Sequence, residues 1–74
     1  RIMLWKVETT VSAEYTENLC SVLNYSHIPY NYILNIGKYT IFNIYCETQR
    51  ESIVVKRILE QYNAKYFVSE NKGL

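Results

Sequence analysis

Few residues in this chain could carry chemistry: one histidine, His27, two cysteines, Cys20 and Cys46, and seven acidic side chains. A metal site on His27 would need Cys, Asp or Glu partners at ligand spacing. None stands near it, and there is no CxxC pair. No Ser–His–acid or Cys–His set can be picked out, and a thiol becomes a nucleophile only in an electropositive setting. His27 reads instead as an imidazole at a helix C-terminus or on the surface. With only two glycines, the chain has no Gly-rich loop to cradle a phosphate. Cys20 and Cys46 could form one disulfide, but two cysteines so far apart are not the framework of a secreted domain. They read as reduced, mostly buried thiols in a cytoplasmic domain. The expectation is a non-enzyme with no catalytic residue, cofactor or metal.

Composition narrows the class. Seventy-four residues make one domain, residues 1–74, near the lower limit for an independent core. At 49% hydrophobic and 20% charged, the chain is globular rather than disordered. A net charge of +1 gives no field that would gather nucleic acid or anionic lipid. No apolar run approaches the roughly 20 residues of a membrane span. The opening "RIMLWKVETT" turns polar too soon for a signal peptide. Beginning at Arg1 and stopping at "NKGL", the sequence reads as a piece of a longer protein, which could be tethered to a membrane by other parts.

Six elements must position whatever surface the domain offers. "IMLWKVETTV" alternates Met3, Trp5 and Val7 against Leu4, Lys6 and Glu8, a first strand. Ser12 is placed as an N-cap, with Glu14 in the first turn where the helix dipole favours negative charge. Tyr15, Leu19, Val22 and Leu23 then form one stripe of an amphipathic helix. That helix must stop near His27, because Pro29 disfavours helical geometry at Ile28. "YNYILN" and "YTIFNIYC" are strands joined around Gly37. Thr48 and Glu51 form a capping box for a second helix with the stripe Val55, Ile58, Leu59 and Tyr62. Asn63 stops it, and "KYFVS" is a fourth strand. The order β-α-β-β-α-β is the α+β, ferredoxin-like arrangement: a four-stranded antiparallel sheet with two helices on one face.

The hairpin from residue 30 to 46 decides which side chains lie outside. A three-residue loop of Asn35, Ile36 and Gly37 sets Leu34 opposite Lys38 and Tyr30 opposite Phe42. Tyr30, Tyr32, Leu34, Phe42, Ile44 and Cys46 then face the helices. Asn31, Ile33, Asn35, Tyr39, Ile41, Asn43 and Tyr45 face outward, bordered by Leu4, Lys6 and Glu8. A pairing shifted by one residue would place Asn31 and Asn35 beside Phe42, and each unpaired buried amide costs about 1–3 kcal/mol. The outward face has two readings, an ordinary half-solvated sheet surface or a docking face rich in tyrosine. Its contact set would be Asn31, Ile33, Tyr39, Ile41, Asn43 and Tyr45. The second strand falls at a sheet edge and carries no charge to blunt it, so a partner or a second copy could add a strand there.

Enzymes and ligand sensors share this fold. Acylphosphatases hold a glycine- and arginine-containing anion loop after the first strand, where this chain has "TTVSAEY". RRM domains stack RNA bases on open-face aromatics, yet "KYTIFNIY" lacks the glycine and basic order of that motif. An ACT-like ligand module would place a glycine in the first loop, and none is there.

The runs "ENLCSVLNYSHIPYNYI", "YTIFNIY" and "AKYFVSENKGL" together resemble the N-terminal part of YqfD-type stage IV sporulation proteins. The shared features are a helix with an "LNxC"-like segment at Leu19 and Cys20, Ile28 before the next strand, and a closing Lys72, Gly73 and Leu74. The resemblance implies a soluble domain ahead of a membrane segment in a spore-forming bacterium, with no catalytic residues. The competing expectation is a free-standing small binding protein, such as a phage-encoded inhibitor, that blocks a larger partner. Either way the partner is a protein, or a second copy, at the outward face or the edge strand.

Overall fold

A computed structural model describes residues 2, 4–35 and 37–70. Met3 of the expected first strand, Ile36 of the loop and Lys72, Gly73 and Leu74 lie outside them. Four strands, β1 (Trp5–Ser12), β2 (Tyr30–Asn35), β3 (Tyr39–Cys46) and β4 (Lys65–Glu70), form one antiparallel sheet in the order β2-β3-β1-β4. Helices α1 (Thr16–Tyr25) and α2 (Gln49–Glu60) cross over one face. This is the ferredoxin-like α+β fold, with β2 at an edge. β1 starts later than expected, so Leu4 precedes the strand and is exposed.

The alternation in β1 and β3 builds the core. Val7, Val11, Phe42, Ile44 and Cys46 are buried on the helix side, against Leu19 and Leu23 of α1 and Val55 and Leu59 of α2. Phe42 is the largest fully buried side chain, and covering such a ring is worth about 1.5–3 kcal/mol. Tyr30 and Tyr32 extend the cluster outward, with ring centroids 5.9 and 5.3 Å from Phe42. The helices do not cover the far end of β2: Leu34, though on their side, is 65% exposed.

Hairpin pairing differs from the expected register by two residues. Asn35 stands opposite Tyr39, Leu34 opposite Thr40, Tyr32 opposite Phe42 and Tyr30 opposite Ile44. The cause is the turn. Gly37 takes φ +81°, and the Lys38 N–H closes back on the Asn35 carbonyl at 3.4 Å, so Gly37 fills the third position of a four-residue turn that prefers glycine. A slip of two preserves the side-chain period, so every residue keeps its expected face.

The start of α1 also departs from expectation. Ser12 ends β1 and makes no capping hydrogen bond, and a 3-10 turn over Ala13–Tyr15 intervenes before Thr16. The helix is fastened instead by the buried hydroxyls of Thr16 and Thr40, 2.6 Å apart. Tyr15 packs its ring on Tyr62 at 5.3 Å, and Val22 is only half-buried, so the buried stripe is Thr16, Leu19 and Leu23.

Both helices stop by the same device. His27 (φ 57°) and Asn63 (φ 53°) adopt left-handed backbone. After α1, the His27 and Ile28 N–H groups bond the Asn24 and Leu23 carbonyls. After α2, Asn63 and Ala64 bond Glu60 and Leu59 in the same pattern. These are Schellman closures, which satisfy carbonyls that the helix leaves unpaired. The α2 capping box is modified: Thr48 Oγ1 accepts from the Glu51 N–H at 3.1 Å, while the Glu51 carboxylate accepts from Glu47 N–H at 2.8 Å.

Candidate interaction surface

None of the described elements covers the face opposite the helices, and all six expected contact residues lie on it. Ile33 and Tyr39 are 62% and 53% exposed, and Asn31 is exposed as well. Ile41, Asn43 and Tyr45 are half-buried by their neighbours on β1 and β2. Register brings the polar members together: Asn31 sits opposite Asn43. Asn43 Nδ2 donates to Asn31 Oδ1 at 3.0 Å, and Asn31 Nδ2 donates to the Tyr45 hydroxyl at 3.2 Å. This chain of bonds holds the tyrosine and both amides in fixed orientations, so a partner would meet an ordered polar stripe rather than free rotors. It also explains how asparagines are tolerated in the sheet: Asn31 and Asn43 bond each other on the outward face, and Asn35 is exposed at the end of β2.

The rest of the face comes from β1 and β4. Lys6 and Glu8, two apart on β1 and therefore on the same side, pair at 3.2 Å between Nζ and Oε1. They cancel each other's charge. Glu8 stands opposite Asn43 on one flank and Phe67 on the other. Phe67, 64% exposed, is the residue that sequence reasoning missed. Its exposure follows from the facing of β4: Val68 turns toward the helices, so its neighbour turns away. Beside Phe67, a shallow hollow of about 270 Å³ is bounded by Glu8, Thr10, Ile41 and Lys65. Apolar side chains at both ends, Phe67 and Tyr39 with Ile33, thus flank a neutral hydrogen-bonded centre.

Chemically the described residues hold little reactive equipment. No group of three or more metal-capable side chains occurs among them. Both cysteines are free; Cys46 is buried at the end of β3 and Cys20 is half-buried on α1. Burial, with a lesser push from Glu51, raises the Cys46 thiol to about 11, so it stays protonated near neutral pH. The Tyr30 hydroxyl donates to Asn24 Oδ1 at 3.1 Å. A hydrogen bond with Cys20, then burial, lifts its phenol above the ordinary value. His27 is exposed in its left-handed helix-end position. Among the described residues no helix is long and apolar enough to cross a membrane.

No protein-family model matches the chain, and no curated protein matches it either.

Proposed function

We propose that this domain is a non-enzymatic protein-interaction module that docks a partner on its open sheet face. The observation carrying this reading is a near-neutral surface on which Ile33, Tyr39 and Phe67 are each more than half exposed around the bonded Asn31–Asn43–Tyr45 stripe. Tyrosine supplies wide contact area at low conformational cost, and interface cores are depleted in charge, as the Asn31–Asn43–Tyr45 centre of this face is. A partner suited to it presents an apolar patch with a few amide or hydroxyl groups, not a phosphate backbone. The setting that goes with the proposal is the one implied by the resemblance to sporulation proteins: a domain carried by a chain that continues toward a membrane.

The test is a pull-down from the source cell with the parent chain, comparing wild type with Ile33→Ala/Tyr39→Ala and with Ile53→Ala/Val54→Ala on the exposed side of α2. Loss of specific partners with the first pair and retention with the second supports the reading. Equal recovery by all three baits refutes it.

A further inference from the structure

The outer edge of β2 carries a hydrogen-bonding pattern that specifies its own complement. Two bonds set the phase of the ladder. Tyr45 N–H donates to the Pro29 carbonyl at 2.9 Å, and Ala13 N–H to the Lys38 carbonyl at 2.8 Å. Bonded positions alternate along an antiparallel pair, so the first contact turns the backbone groups of Asn31, Ile33 and Asn35 toward β3. The second assigns Thr40, Phe42, Ile44 and Cys46 to β1, leaving the odd residues of β3 for β2, in agreement. Tyr30, Tyr32 and Leu34 therefore aim their N–H and C=O groups away from the sheet, where no strand of the described residues lies beyond β2. These outward residues are symmetric about Tyr32.

We propose that β2 pairs antiparallel with β2 of a second copy, the two-fold axis passing at Tyr32, to join two sheets into one of eight strands. Tyr32 then faces the partner's Tyr32, and Tyr30 faces the partner's Leu34. Each outward N–H and C=O finds a complement, for about six main-chain bonds in all. A second copy suits this edge better than an unrelated strand for three reasons. One register satisfies every outward group on both sides. Residues 30–35 carry no charge, so identical edges meet without repulsion, whereas the opposite edge, β4, contains Lys65 and Glu70. Pairing also shelters Tyr32, Ile33 and Leu34, which are 44%, 62% and 65% exposed. Six residues of edge fall short of the roughly 1,200–2,000 Å² of a standard stable interface, so this dimer is a weak one, set by local concentration. The edge shares Ile33 with the open face, but its contacts run through the main chain and Tyr32, so charge at Tyr32 tests the edge and Tyr39→Ala tests the face separately.

Sedimentation of the 74-residue chain from about 5 μM to about 1 mM reads the association directly. The expected result is a reversible monomer–dimer equilibrium. Tyr32→Lys and Tyr32→Glu each place like charges on the axis and weaken it at least tenfold, and mixing the two variants restores a dimer. Tyr32 leans on Phe42, so circular dichroism must show both variants folded. In the unaltered chain, a mixed-isotope sample should give an intermolecular Asn31 Hα to Ile33 Hα contact, from the close non-bonded pair this register creates. A chain monomeric throughout leaves the edge to a strand of another protein and overturns the proposal. So does a dimer lacking that contact, or one abolished by Tyr39→Ala but untouched by charge at Tyr32.

Discussion

Thr16 and Thr40 test whether α1 is seated on β3 as described. Thr40 is fully buried, Thr16 is 9% exposed, and their hydroxyls meet at 2.6 Å. Valine copies the shape of threonine and replaces the hydroxyl with a methyl group. Changing either residue alone leaves the other hydroxyl buried without its partner, a cost of about 1–3 kcal/mol. Changing both removes donor and acceptor together and should lie within about 0.5 kcal/mol of the unaltered chain. A domain of this length has a total stability of roughly 4–11 kcal/mol, so each single change is plainly measurable. Urea unfolding of all four proteins, followed by circular dichroism, gives the coupling. The expected coupling is about 2 kcal/mol or more, opposite in sign to the single costs. Additive losses, or two silent single variants, would show that the hydroxyls do not face each other and that α1 starts elsewhere.

Other perturbations follow from the same geometry. Phe42→Ala removes the largest buried side chain at the centre of the tyrosine cluster; the expected loss of about 3–5 kcal/mol should leave the domain mostly unfolded by calorimetry, and a sharp native-like transition would contradict the core. The Cys46 thiol rises from 9.0 to about 11 on folding, so the folded chain keeps a proton that the unfolded chain releases. Its contribution is whole below pH 9 and is lost as pH climbs toward 11, about 2–3 kcal/mol across that window. Urea midpoints should fall over this range and fall less in Cys46→Ala. His27 is left-handed at φ 57°, so His27→Gly should stabilise by about 0.5–1 kcal/mol, the relief of strain exceeding the entropy cost of glycine. Gly37→Ala should destabilise by about 1–2 kcal/mol; at φ +81° with nothing within 4 Å of the added Cβ, the penalty is backbone strain alone. Thermal melts decide both signs.

Much of this architecture was legible because several local signals agreed. "YTIFNIYC" alternates without interruption, Pro29 forces a break after α1, and Thr48 with Glu51 marks the start of α2. The faces of the hairpin were legible for a related reason: only one parity keeps Asn31, Asn35 and Asn43 out of the core. Pairing was not, because registers differing by two bury the same side chains and only the backbone of Gly37 separates them. Ser12 misled because a cap-type residue before an acidic one fits a helix start and a strand end equally well. The Asn31–Asn43–Tyr45 bonds needed the true register, and Phe67 needed the facing of β4, which a short apolar run does not display by itself.

Site-specific photocrosslinking in the source cell addresses the docking face most directly. Benzoylphenylalanine would replace Tyr39 on the open face or Ile53 on the outer side of α2, both exposed in the free domain. The expected result is a discrete protein adduct from position 39, suppressed by Ile33→Ala, and none from position 53. Adducts from position 53 alone, or the same adducts from both, would place the partner elsewhere and contradict it.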